Sequence, residues 1–264
     1  MIFKEYDGFY YIQSELLLKY NIEHFFSTIK DEKRNVDGGV NFSFTNCLSK
    51  EETLKSYEKT SKIFNVPLKN ITKSTQIHED VVKKIEDFHI GMGVTKETTI
   101  NNADGLITDI KDVPLCIFSA DCVPILLSNK NKTVVSAVHS GWKGTVKEIT
   151  KNAINKMICD YNIKKEDILC AIGPAISKCC FEVGKEVIDE LSVVGDISRF
   201  YDKKENGKYN LDLKEVNRFI LIKYGILPCN IDVSDICTKC EDEYFYSYRR
   251  QGVNAGRNAA FIMK

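Results

Sequence analysis

The chain has 264 residues, enough for one large domain with a sizeable core. Lys plus Arg and Asp plus Glu both count 37, so the formal net charge is zero. That balance removes the electrostatic footprint of a general nucleic-acid or membrane-surface binder.

The N-terminus, MIFKEYDGFYYIQ, lacks a basic stretch followed by an apolar one, so no signal peptide is expected. No apolar run approaches the ~18 residues of a membrane span. The chain is too long for a small disulfide scaffold, and Cys116 and Cys170 fall inside apolar runs, where a free thiol acts as a small hydrophobe. A soluble, reducing, cytoplasmic setting is the expectation.

Gly8–Gln13 and His24–Thr28 read as strands, followed by a polar loop from Lys30 to Asn46. Residues 50–65 predict a helix, with Leu54, Tyr57, Ile63 and Phe64 near one face and Glu51 and Glu52 suiting its N-terminal dipole. Ile71–His78 reads as a strand ending on a histidine. Residues 86–102 read as loop, and Gly91-Met92-Gly93 as a turn rather than a dinucleotide fingerprint. Ala103 to Thr145 then holds three short apolar runs, PLCIFSA, CVPILL and TVVSAVH, which predict buried strands. Cys122 opens the second and His139 closes the third. Val146–Asp160, Glu182–Leu191 and Leu213–Tyr224 predict helices, while Leu169–Ile172, Ile231–Val233 and the C-terminus predict strands. This mixture predicts an α/β or α+β fold and one domain over residues 1–264.

There are four histidines. His78 and His139 each end a predicted strand, and Cys122 begins one. If these ends meet, two imidazoles and a thiolate surround one point, a donor set zinc favours, with a fourth position open. Spacing alone does not bring them together. Cys237-Thr-Lys-Cys240 lacks the second pair of a zinc ribbon at usual spacing, and the adjacent Cys179 and Cys180 read as packing residues. Gly141-Trp-Lys-Gly-Thr lacks the spacing of an ATP-binding loop.

TQIH at 75–78, ADGLIT at 103–108, ADCVPILL at 120–127 and AVHSGWKGT at 137–145 make the chain recognisable, together with IGPAISKCCFEVG at 172–184 and FYSYRRQGVNAGRNAAFI at 245–262. The chain resembles the laccase-domain, or multicopper polyphenol oxidase, family, now viewed as zinc-dependent purine nucleoside phosphorylases. The resemblance implies a single-domain α/β/β/α sandwich of the cysteine-hydrolase-like type. It implies zinc, rather than copper, held by His78, Cys122 and His139. It also implies phosphorolysis of adenosine, inosine, guanosine and methylthioadenosine, with adenosine deamination, so that purine nucleoside and phosphate are the partners. A monomer and a homodimer remain open.

Lys143, at a helix start, and Arg249 and Arg250 are candidate phosphate-binding residues. Asp121 and Glu79, beside two of the expected ligands, are candidate proton carriers. Two positions depart from the family's pattern: Glu79 stands where Gly is common and Ile29 where Arg is common. Lys33 or Arg34 are the candidates to replace that Arg. Three rival readings are a cysteine hydrolase editing cell-wall peptide precursors with Cys122 and His139 as nucleophile and base, a copper-dependent polyphenol oxidase, and a non-catalytic zinc-binding interaction protein.

Overall fold

Two six-stranded mixed sheets lie face to face, each covered on its far side by helices. The structure, a computed structural model, describes residues 1–33, 39–47 and 49–264. The first sheet has the order Ile2–Tyr6, Phe9–Gln13, Glu23–Asp31, Asn258–Met263, Leu115–Ser119, Thr72–Lys73. The second runs Ile231–Val233, Ile168–Ile172, Val123–Asn129, Val135–Ser140, Gly105–Thr108, Val82–Lys84. A third, three-stranded sheet joins Glu182–Val183, Tyr209–Leu211 and Tyr201–Lys203.

The apolar runs are continuous because these strands are buried on both faces. Successive side chains point opposite ways. Phe26, Ile117 and Ala260 of the first sheet meet Leu126, Ala137 and Ala171 of the second in a shared layer. Phe25, Cys116 and Phe261 turn outward under Tyr57 and Phe64 of the helix Lys50–Phe64. Ile125, Val138 and Cys170 turn the other way, against the helices Ile149–Cys159, Lys185–Leu191 and Leu213–Lys223. The layering is therefore the expected α/β/β/α.

Several predicted elements end elsewhere. The expected helix Val146–Asp160 is broken into Trp142–Val146 and Ile149–Cys159. Glu148 between them has φ 53°, and its carboxylate accepts hydrogen bonds from Lys223 at 2.8 Å and Tyr224 at 2.7 Å. Those tertiary partners hold a residue in the left-handed region that no helical period foretells. The expected helix Glu182–Leu191 starts only at Lys185, because Glu182 and Val183 pair with Asn210 and Tyr209. The predicted strand Ile71–His78 shrinks to Thr72–Lys73, and its last residues form a loop. Strand Ile2–Tyr6 and the helix Glu15–Lys19 were not anticipated. Gly91 and Gly93, with φ of 84° and 79°, form the expected turn.

Candidate active site

The anchor of the site is Asp104, fully buried just before the strand Gly105–Thr108. Its carboxylate accepts three consecutive backbone N–H groups, from Ile77 at 3.0 Å, His78 at 2.9 Å and Glu79 at 2.9 Å. This grip explains why Gln76–Glu79 leaves the strand conformation and why His78 sits at φ 64°. The same carboxylate lies 2.8 Å from His139 Nδ1. A carboxylate only accepts, so His139 Nδ1 carries a proton, and Nε2 is the atom left to a metal once its own proton is lost. One buried side chain thus positions both histidines.

Cys122 arrives from the turn before Val123–Asn129, and His139 from the neighbouring strand Val135–Ser140, paired with Pro124. Cys122 Sγ is 3.8 Å from His78 Nε2, and one donor atom from each of His78, Cys122 and His139 lies within 4.8 Å of the others. The three predicted ends do meet. The two imidazole rings stand edge to face, with centroids 4.9 Å apart. At Gly141 a Cβ would come 3.0 Å from Cys122 Sγ and 3.1 Å from His78 Cδ2, so a larger residue would have to displace the donors by a few tenths of an ångström.

Burial works against the charged forms of both Cys122 and His139, yet their neighbours prevail. The imidazoles of His139 and His78 bring the Cys122 thiol down to about 6, and Cys122 with Asp104 lifts His139 to about 9. Burial also opposes the charge on Asp104, but the His139 contact and the N–H donors hold its carboxyl below the usual range. An ionised thiol beside two imidazoles, one oriented by a carboxylate, is a donor set that fits a divalent metal.

These donors form one wall of a cavity of about 720 Å³. Phe118, Trp142, Phe181 and Tyr248 supply aromatic surfaces, and Arg249 and Arg257 supply positive charge. Arg249 lies over the Phe181 ring, 5.6 Å from its centroid, and donates to the Glu182 carbonyl at 2.9 Å. Asp121 also lines the cavity, but its oxygens accept from Thr238 at 2.7 Å, Ser247 at 3.0 Å and the Arg249 N–H at 2.7 Å. Those bonds hold Asp121 at φ 91° and tie Arg249 to the neighbour of Cys122.

Other candidates lie apart. The Arg250 guanidinium binds the carbonyls of Thr238, Lys239 and Phe245 and is not part of the cavity wall. Lys143 Nζ lies 5.6 Å from the Trp142 ring centroid and also does not line it; its helix is five residues long. Glu79 pairs with Lys147, away from the lining. Lys33 pairs with Asp7, and Arg34 lies outside the described residues. Ile29 packs with Ala120, Tyr246 and Ala255. Asp104 and Arg257 were missed: both lie inside the motifs ADGLIT and GRNAAFI, but nothing in their spacing marks them.

The fold and this site place the chain in a class: it belongs to the multi-copper polyphenol oxidoreductase laccase family, whose model matches residues 24–264. Among curated relatives, it is 34% identical over 215 residues to "Purine nucleoside phosphorylase YlmD" of Bacillus subtilis, covering 80% of this chain and 77% of that protein. It is 32% identical over 204 residues to "Adenosine deaminase RL5" of an unknown prokaryotic organism, covering 75% and 77%. The crystal structure of YlmD from Geobacillus stearothermophilus superposes with a TM-score of 0.91 at 28% identity, over 99% of this chain and 97% of that one. Among the described residues no helix is long and apolar enough to cross a membrane.

Proposed function

We propose that this chain is a purine nucleoside phosphorylase that also deaminates adenosine. Its substrates are adenosine, inosine, guanosine or methylthioadenosine with phosphate, giving free base and the pentose 1-phosphate. One observation carries the reading: a His/Cys/His donor set, two arginines and aromatic walls share one cavity of ligand size. The names of the relatives support it. Residues 1–264 act as one domain, which the layer shared by the two sheets supports, and that layering accords with the cysteine-hydrolase-like type. Free thiols throughout support a cytoplasmic setting.

His78, Cys122 and His139 hold zinc. When bound, zinc supplies Lewis acidity towards the substrate. Multicopper chemistry needs more imidazoles than the four histidines of this chain. Asp104 keeps His78 and His139 aimed at the donor point. Arg249 and Arg257 bind and orient phosphate, the planar guanidinium matching two of its oxygens. Phe118, Trp142 and Phe181 give the purine flat apolar surfaces and exclude water from the glycosidic bond. The sugar becomes cationic as that bond breaks, and the carboxylate of Glu186 on the same wall favours that charge. Asp121 acts as a positioning residue, since three donors already occupy its oxygens.

The test is adenosine with and without phosphate. Adenine and ribose 1-phosphate are expected only with phosphate; free ribose at an unchanged rate in both would sink the phosphorylase reading. Cys122→Ser and His78→Ala should each lose zinc and turnover together. A second reading has one observation in its favour: Cys122, His139 and Asp104 line up as nucleophile, base and orienting carboxylate. It requires a covalent adduct on Cys122, seen by mass spectrometry, and a His78→Ala variant that stays active.

A further inference from the structure

A second group of sulfurs lies beside the cavity. Cys179 and Cys180 come from the loop after Ile168–Ile172, and Cys237 and Cys240 from the loop after Ile231–Val233. Their four Sγ atoms all lie within 4.8 Å of one another, and all four cysteines are free. Cys179 Sγ is 3.7 Å from Cys180 Sγ and 3.7 Å from Cys240 Sγ, and Cys180 Sγ is 3.4 Å from Cys240 Sγ. A disulfide needs about 2.05 Å. Tetrahedral zinc, with zinc–sulfur bonds of about 2.3 Å, sets its sulfurs about 3.8 Å apart. The observed spacing matches the latter.

The backbone is shaped for the same ligand. The Cys237–Cys240 turn closes with Cys240 N–H on the Cys237 carbonyl at 3.1 Å. The Ser177 N–H donates to Cys237 Sγ at 3.4 Å. Donors of this kind steady a ligating thiolate and fix its direction. Buried Lys214 donates to the carbonyls of Ser234 at 2.6 Å and Ile236 at 3.1 Å, so the approach to Cys237 is held as well.

We propose that Cys179, Cys180, Cys237 and Cys240 form a second metal centre, a closed tetrathiolate that takes zinc. Four sulfurs fill a tetrahedral shell and leave no open position, which makes the centre structural. It joins two loops about 60 residues apart in sequence, a long closure for one cation to make. Both loops serve the first site. Thr238, inside the turn, holds Asp121, the neighbour of Cys122. Phe181, next to Cys180, lies under Arg249 in the cavity wall. The centre touches no substrate; it positions that wall. This inference does not depend on which reaction the cavity performs.

The experiment uses the full chain, purified under reducing, chelator-free conditions and equilibrated with zinc. The unaltered chain should retain about two zinc ions, and Cys122→Ser about one, because only the first site is lost. In Cys122→Ser, iodoacetamide should spare four thiols while zinc is bound and modify them after chelation. Cobalt in the same variant should show the intense sulfur-to-metal absorption of a tetrathiolate, lost when the exposed Cys179 and Cys240 are both changed to Ser. A Cys122→Ser chain that binds no zinc overturns the proposal. So does alkylation that zinc leaves unchanged, or a disulfide among these four in the reduced protein. Neither the zinc count nor the alkylation requires the double variant to fold.

Discussion

The two sulfur clusters teach by contrast. In the first, one thiol and two imidazoles meet at a cavity wall, and a buried carboxylate, Asp104, orients the imidazoles. In the second, four thiols running from buried Cys237 to exposed Cys179 and Cys240 meet, and the Ser177 backbone N–H orients Cys237. Mixed donors that stop at three leave room for a substrate; four identical donors close the shell. The two share only the thiol. What surrounds the ligand, and how many there are, separates chemistry from scaffolding.

Asp104→Asn strikes the contrast hardest. An amide cannot accept from His139 Nδ1 while also receiving three N–H groups, so both histidines lose their aim. Metal affinity or activity at the first site should fall about 10–100-fold, with the four-thiol cluster unaffected. Metal titration and kcat check this; equal loss from both clusters would erase the distinction. Arg249→Lys comes next. Lysine lacks the two-donor fork, so KM for phosphate should rise about tenfold, corresponding to about 1.4 kcal/mol, with metal content unchanged. An unaltered phosphate dependence removes Arg249 from the anion site.

The smallest effect on activity sharpens the point about surroundings. His24 is buried like His139, but its ring meets only backbone, accepting from the Ser14 N–H at 2.8 Å and facing the Ile22 carbonyl at 2.8 Å. Burial therefore lowers it to about 4, whereas a thiolate and a carboxylate lift His139. Between pH 6.5 and 4 the unfolded chain binds the proton that folded His24 refuses. Stability is thus full above the unfolded value and declines as pH falls through the folded one, by on the order of 3 kcal/mol. Urea midpoints across that window should show the slope, and His24→Asn should flatten it while leaving turnover at neutral pH intact. A slope identical in both proteins assigns the acid sensitivity to other groups.

Much of this was legible along the chain. Short apolar runs rich in Val, Ile and Leu gave away the central strands of the second sheet, Val123–Asn129, Val135–Ser140 and Ile168–Ile172, because a strand buried on both faces is mostly apolar. The Leu213–Lys223 and Lys50–Phe64 helices showed their period. His78, Cys122 and His139 stood out at the ends of runs and in recognisable motifs. The break at Glu148 did not, since it depends on Lys223 and Tyr224, residues remote in sequence. Nor did the retreat of Arg250 and Lys143 from the cavity, because a basic residue looks the same whether it faces a substrate or a carbonyl.

The sequence by itself determined the main apolar strands and the longer helices, the family and the three donors, since burial and reactivity are properties of residue type and local pattern. Only the tertiary structure decided what those donors do. It placed Asp104 behind both histidines, brought Arg257 and Arg249 to the wall of one cavity, and joined the pair Cys179 and Cys180 to the distant pair Cys237 and Cys240. Each of these is a meeting of atoms from separate strands and loops. Geometry between remote segments is fixed by how sheets stack and loops are tied, and the order of residues along one chain does not contain it.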